Sequence, residues 1–510
     1  MTLCDAGTVK DDPRSGLSRE ALAAGVALGV AGDLLLWDID PPGLGFALWV
    51  GLLGAAVMTV NRHAMHAWRK QLLLWSVLAV VAASVLALRA TVVFLPLVAL
   101  MLVTCAAMVF MQSEGVGMWS AAVRDQISAL LRLPLRVLLG GWPLLGQLHL
   151  HRAEAAPRWQ PVLRGALLAL PLVLIFVALF SAADATFERY ASGVGDLLAR
   201  DLPRHFLVVL VLGWFSTGLL CCSIPQENST KGRRPVTRLL GVDEAAIVLG
   251  SMVVLFLLFA SVQLGYLFGG RELIEQTSGL TLAQYARRGF FELMVVALLT
   301  MVVLHGVCSG HSGRLRTLGV VLVVLVMCIL VSAAQRLMLY VDAFGLTLSR
   351  LLATACMLWV AGCLLIFAVA MIRDRGAGLA SCYVLSGVAV ILLLVVANPA
   401  ALVASVNLER AIADPDPARG GAPLDVTYLL QLGPDVVPAI LDRFAELPQT
   451  HQCGLASGLR GRYRLMEGDE DWRAWNASRS AARRAVDNDD RLRQVRCPAS
   501  GPRPFNSKKE

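Results

Sequence analysis

Eleven long apolar runs fill most of residues 21–398, and a polar, Arg-rich tail follows them. A run of ~20 mostly apolar residues is what crosses ~30 Å of hydrocarbon. Inside hydrocarbon every backbone N–H and C=O needs an internal partner, so such runs fold as helices. Barrel strands alternate in polarity every second residue, and these runs are solidly apolar. The pattern therefore predicts an all-α fold: a polytopic helical membrane protein with about 11 transmembrane helices and a small helical C-terminal extramembrane tail.

Composition agrees where it bears on class. The chain is 57% apolar and 16% charged, against roughly 45–50% and about 25% for soluble domains. A net charge of +8 does not point to nucleic acid. The basic residues lie mainly in loops between the runs, where they set orientation, and no nucleic-acid-binding motif accompanies them. No cleavable signal peptide is expected, because residues 1–20 are polar, of mixed charge, and precede no small-residue cleavage site. Most of the eleven cysteines lie inside the runs as small apolar fillers. Cys453 and Cys497 lie in the polar tail and form a candidate disulfide for a non-cytoplasmic tail.

The expected spans are 20–37, 44–60, 71–88, 91–111, 165–182, 205–223, 245–268, 289–308, 317–334, 349–371 and 379–398. They divide the chain into a polar cytoplasmic N-terminus (1–19), a four-span unit (20–111), a cytoplasmic amphipathic loop (112–164) and a seven-span core (165–398). A helical extramembrane tail (399–486) and a disordered C-terminus (487–510) follow. Spans three and four are joined only by Arg89-Ala90. In the long loop, Ser120, Arg124, Ser128, Arg132 and Arg136 recur every four residues with apolar residues between them. That spacing predicts a helix lying in the headgroup plane over 118–136 and attracting anionic lipid, broken by Pro134 and by Gly140-Gly141. In the tail, Leu424 to Leu432 and Val436 to Leu447 predict two short helices, with Pro434 in the first turn of the second. Asp471 to Val486 predicts a third.

Loop charge sets the expected orientation. Arg62, Arg69 and Lys70, then Arg152, Arg158 and Arg164, then Lys231 to Arg238, Arg314 and Arg316, and Arg373 and Arg375 fall on alternating loops. The positive-inside bias assigns these loops and the N-terminus to the cytoplasm of an inner membrane. With an odd number of spans, the tail from Pro399 is then extracytoplasmic.

Several segments carry a family resemblance. They are Leu179 to Asp184 with Phe187, Tyr285 to Glu292, Arg336 to Tyr340 running into Gly345-Leu346-Thr347 and Arg350, and the tail's Asn398-Pro399 and Leu424-Asp425. Together they resemble a bacterial family of polytopic membrane proteins known only as a domain of unknown function, of the 4153/4173 type. The resemblance covers roughly 165–480. It implies a bacterial inner-membrane protein and carries no activity.

The outer ends of the expected spans collect Asp184, Glu188, Arg271, Glu272, Tyr285, Arg288, Glu292, Arg336, Tyr340 and Asp342. Charges at a bilayer boundary are costly, so they pair or line a cavity. One reading is an outward-facing pocket for an anionic group, with Arg as the planar clamp. The bland reading is interhelical ion pairs and span-end anchors, with Arg288–Glu292 and Arg336–Tyr340 four apart on one helix turn. Asp33 sits inside span one, near enough to its end to reach water, and Gln263 and His305 are expected to make interhelical hydrogen bonds. No catalytic, nucleotide-binding, metal or cofactor motif accompanies these residues. The leading expectation is a non-enzymatic envelope scaffold, sensor or assembly protein with an envelope protein partner at its tail. A transporter or lipid-handling protein using the polar pocket is second. An envelope transferase with Asp38, Asp40 or Asp184 as base is third.

Overall fold

The computed structural model describes residues 13–142, 173, 184, 201–225, 241–268, 290–307, 313–374, 378–413, 424–464 and 471–495. Among them all regular structure is helical. The membrane part holds α1 (Pro13–Leu36), α2 (Leu44–Val60), α3 (His66–Leu88), α4 (Phe94–Ser113), α5 (Val123–Gly140) and α6 (Asp201–Ser223). It continues with α7 (Val242–Phe268), α8 (Phe290–Val307), α9 (Gly313–Phe344), α10 (Leu348–Ile372) and α11 (Leu379–Ala397). The tail holds α12 (Pro399–Ala413), α13 (Val426–Gln431), α14 (Val437–Arg443), α15 (Gln449–Arg464), α16 (Ala477–Asn488) and α17 (Asp490–Gln494).

Seven described helices, α3, α4, α6, α7, α9, α10 and α11, contain segments long and apolar enough to cross a membrane, while α2 and α8 are apolar but shorter. The expected span at 165–182 lies outside the described residues, and the number eleven is not established. The largest boundary change is at α9. Expected over 317–334, it runs 32 residues, about 48 Å at 1.5 Å per residue. That exceeds ~30 Å of hydrocarbon, and Arg336, Tyr340 and Asp342 lie on its last turns.

Two groups of helices share the membrane part. α7, α8, α9 and α10 bury one core around Leu249, Leu304, Leu322, Val326 and Leu364. α1 to α6 bury others around Trp75, Phe94, Met108 and Leu220. α11 touches both groups. Val388 and Val395 pack against α3 and α4, and Ser386 accepts a hydrogen bond from Trp359 of α10 at 3.1 Å.

The loops sort to two ends. At one end Asn61 donates to Ser223 (3.0 Å), Arg62 pairs with Glu20 (2.7 Å), Arg316 pairs with Asp374 (2.9 Å), and Trp119 lies against Gly378. The loops 37–43, 89–93 and 345–347 form the other end, and the tail sits there.

α5 covers Val123–Gly140, later than the 118–136 that its Arg spacing predicts, and it packs on other helices. It buries Ala129, Leu133 and Val137 against Phe110, Met111 and Cys222, so it packs on α4 and α6. Its opposite face exposes Ile127, Leu131, Leu135, Leu138 and Leu139. Arg132 is held by Glu114 at 2.8 and 3.1 Å and lies over the Phe110 ring. Pro134 is inside the helix and does not break it. The buried stripe meets α6 at Gly218, where α6 comes close to the Val137 backbone.

The tail has its own core, built from Val403, Leu408, Leu429, Ile440, Phe444, Leu455, Leu459, Ala482 and Leu492. Pro434 starts the short 3-10 turn before α14, as expected of an N-terminal proline. α15, absent from the expected helices, supplies Leu455, Leu459 and Tyr463 to this core. The helical unit runs on to Val495 rather than stopping at 486, because Leu492 is buried and Arg491 donates to the Leu441 carbonyl at 3.0 Å. Asp489 caps α17. The Arg491 guanidinium at 2.7 Å, and its backbone N–H at 3.0 Å, hold the Asp489 carboxyl below the usual carboxylate range. A depressed carboxyl contributes stability above its unfolded value of about 4 and loses it as pH falls through the folded value. Amide protection over 490–495 should therefore stay constant down to about pH 4 and fall below it. Protection that declines already near neutral pH would contradict this.

Candidate functional site

The end of α9, the start of α10 and the tail meet in one junction. Gly345 has φ +78, a conformation glycine adopts without strain, and it ends α9. A Cβ there would lie 2.6 Å from Asn407 Oδ1. Asn407 of α12 holds the next residue from both sides: its amide donates to the Leu346 carbonyl (2.7 Å), and its oxygen accepts from the Leu346 N–H (2.9 Å). Thr347 caps α10, and the Leu348 N–H donates to the Tyr428 hydroxyl at 2.8 Å. Tyr428 is placed by Asp425, which caps α13. The Arg350 guanidinium donates to the Gly345 carbonyl and stacks on the Tyr340 ring at 4.0 Å. Arg410 donates to the Asp342 carbonyl.

A second junction is centred on Asp435, whose side chain is fully buried. One carboxylate oxygen accepts from the Ala90 N–H (2.8 Å) and the Thr91 hydroxyl (2.6 Å). The other accepts from the Ser478 hydroxyl and faces Arg89 at 3.9 Å. Arg89 also donates to the Val395 and Val396 carbonyls (3.0 and 3.4 Å), so its charge sits at the negative end of α11. Asn398 has φ +48 and donates to the Asp435 carbonyl at 3.3 Å. Asn476, buried, caps α16 and donates to the Leu86 and Arg89 carbonyls (2.8 and 3.0 Å). Thus the α3–α4 link and α16 close on the Asp435 carboxylate, and the end of α11 on its main-chain carbonyl. Every described bond at this site holds chain to chain.

Two further polar contacts lie in the bundle. Asp33 does not simply reach water: both its oxygens lie 2.9 Å from His205 Nδ1 of α6, and Trp37 covers the imidazole at 4.5 Å. His205 carried no sequence signal, because its partner is 172 residues away. His305 makes its expected interhelical bond. Its Nδ1 donates to the Met301 carbonyl (2.7 Å), which leaves Nε2 to accept from the Tyr383 hydroxyl (3.0 Å).

The expected outward-facing cluster is only partly described. Glu188, Arg271, Glu272, Tyr285, Arg288 and Cys497 lie outside the described residues. Asp184 and Glu292 are exposed. Arg336 and Asp342 are six residues apart on one continuous helix, about 240° around it, so they face different sides. Tyr340 and the Asp342 carbonyl belong to the α9–α10 junction just described. Cys453 is half-buried on α15. Sequence reasoning missed Asp435, Asn407 and Asn476. Only Asn476 carried a signal, as part of an Asn-Ala-Ser sequon, and that signal was for glycosylation rather than docking.

Of the segments that carried the family resemblance, Leu179 to Ala183 with Phe187 and Tyr285 to Gly289 lie outside the described residues, and the others meet at these two junctions. Tyr340, Gly345 to Thr347 and Arg350 build the first junction with Leu424-Asp425, and Asn398-Pro399 joins the second. No curated protein and no solved structure matches the chain. A family model described as a domain of unknown function, DUF4153, matches residues 46–442, and so reaches well into the N-terminal region that the resemblance had left out. With more than half its length matched, this helical, multi-pass chain belongs to that family of unknown function.

Proposed function

We propose that the protein is a non-enzymatic scaffold or assembly protein of a bacterial inner membrane, which displays its C-terminal helical unit to an envelope protein partner. The observation that carries this reading is the double junction. A unit with its own core is fixed to the bundle by Asp435 and by Asn407, Arg410 and Tyr428. Fixed mounting is what a surface needs if it is to present partner contacts without an ordering cost. The polar residues described at that end spend their bonds on this mounting, which favours the scaffold over a solute pocket.

The proposed orientation places the N-terminus in the cytoplasm and the tail outside. It is supported by Arg62, Arg314, Arg316 and Arg373, which gather at the end of the bundle opposite the tail. At the same basic end, Arg124 and Arg136 are proposed to meet anionic lipid. A Cys453–Cys497 disulfide belongs to the same proposal.

A membrane-impermeant maleimide, with and without prior reduction, tests the sidedness at these two cysteines. Labelling in intact cells, directly or after reduction, is expected. Labelling only after lysis overturns it. A photo-crosslinking residue at exposed Arg484 of α16 tests the display. One discrete protein adduct in the native protein, lost when Asp435→Ala loosens the mounting, is expected. An adduct pattern indifferent to Asp435→Ala removes the scaffold reading.

A further inference from the structure

The tail carries two exposed tryptophans, Trp472 and Trp475, at 57% and 41% exposure. Trp472 opens a short 3-10 turn, and Trp475 follows it, at the edge of the tail nearest the bundle. That turn is pinned to the ends of α1 and α2. The Leu44 N–H donates to the Trp475 carbonyl at 3.1 Å, and Arg473 donates to the Leu34 carbonyl at 2.7 Å. Gly43 allows the close approach, since a Cβ there would lie 2.5 Å from the Ala474 carbonyl oxygen. The two indoles therefore stand at the level where α1 ends and α2 begins. At that level Leu34, on the last turn of α1, is 65% exposed.

The height of this level follows from helix length. From Trp475, α2 descends 17 residues to the opposite end, about 26 Å. At that opposite end lies another exposed tryptophan, Trp119, against Gly378 where α11 starts. α11 climbs back 19 residues, about 28 Å. Trp472 and Trp475 at one level and Trp119 at the other are thus separated by close to the thickness of a hydrocarbon layer, at whose edges indole rings concentrate in membrane proteins. A fourth exposed tryptophan, Trp142, follows Gly141 beside Trp214 of α6, between those levels.

The geometry points to the lipid headgroup–acyl boundary as the occupant of the Trp472/Trp475 edge. The C-terminal unit rests in the membrane surface through these two rings, beside its bonds to the bundle. An indole suits that boundary because it joins a large apolar body to one N–H donor. Arg473 between them is paired with Asp471, so its charge is neutralised at the same level. This inference rests on the contacts of the turn with α1 and α2 and on the lengths of α2 and α11, and holds for either orientation and any partner. It also fixes which face of the unit remains for a protein partner: the face away from the 3-10 turn, which includes Asn488 at the far end of α16.

The test uses the full-length protein in native membranes, with a benzophenone amino acid placed singly at 472, 475, 34 and 488. Irradiation should give phospholipid adducts at 472 and 475, as at the exposed apolar position 34, and none at 488. Lipid adducts at 34 without any at 472 or 475 overturn the inference. So do adducts from 472 and 475 to a second protein in place of lipid, which would make this edge a protein interface while leaving the scaffold proposal intact.

Discussion

Asp435→Ala should loosen the tail from the bundle while leaving the tail's own core assembled. The substitution removes a fully buried carboxylate and leaves the Ala90 N–H, the Thr91 hydroxyl, the Ser478 hydroxyl and the Arg89 guanidinium facing an apolar methyl. Breaking one side of a buried charged network costs about 3–5 kcal/mol, because the partners stay desolvated. Hydrogen exchange should therefore rise at residues 86–92 and 474–480, while Ile440, Phe444 and Leu455 in the tail core stay protected. Asp435→Asn keeps one acceptor oxygen and should fall between the two. Equal loss of protection in the tail core and at the junction would mean that the carboxylate supports folding generally rather than docking.

Gly218→Ala is expected to be as damaging, with one added methyl. A Cβ at Gly218 would sit 2.0 Å from the Val137 carbonyl oxygen and 2.7 Å from its carbon, both in the α5 backbone. Backbone cannot rotate away, so α5 and α6 must separate and expose the faces they bury. Overpacking costs typically about 1–3 kcal/mol and more where backbone is hit, so ~3 kcal/mol is expected here. Gly51→Ala is the control: a Cβ there meets nothing, and alanine is the better helix former. A thermal unfolding scan in detergent should show a lowered midpoint for Gly218→Ala and an unchanged or raised one for Gly51→Ala. Equal midpoints would show that α5 is not packed on α6.

Both predictions concern contacts that sequence reasoning could not reach, and the reason is the same. Asp435 lies 345 residues from Ala90, and nothing in a buried Asp beside Pro434 distinguishes it from a solvated turn. Gly218 reads as one glycine among many in apolar runs. By contrast, Arg89-Ala90 was legible as a tight link because the hydropathy falls there for so few residues. α15 was missed because its apolar positions are sparse and interrupted by Gly454, Gly458 and Gly461. Two of those glycines approach Val426 and Leu430 of α13. Of the polar cluster expected at the outer ends, Tyr340 takes the Arg350 guanidinium on its ring and Asp342 offers its main-chain carbonyl to Arg410.

What the sequence determined by itself is the class: helices in a bilayer, a polar tail, and the loops on which basic residues gather. These follow from chain-local physics, since a span is set by about twenty consecutive residues and the need to satisfy their own backbone. What only the tertiary structure decided is which faces meet. Helices in lipid gain little hydrophobic energy from touching one another, so their pairing depends on close backbone approach and on a few satisfied polar groups. Gly29 against Val209 on the facing helix, Gly218 against Val137, His205 on Asp33, and one buried aspartate whose carboxylate binds the α3–α4 link and whose carbonyl binds the end of α11 are of that kind. Each is a matter of ångströms between residues far apart in the chain.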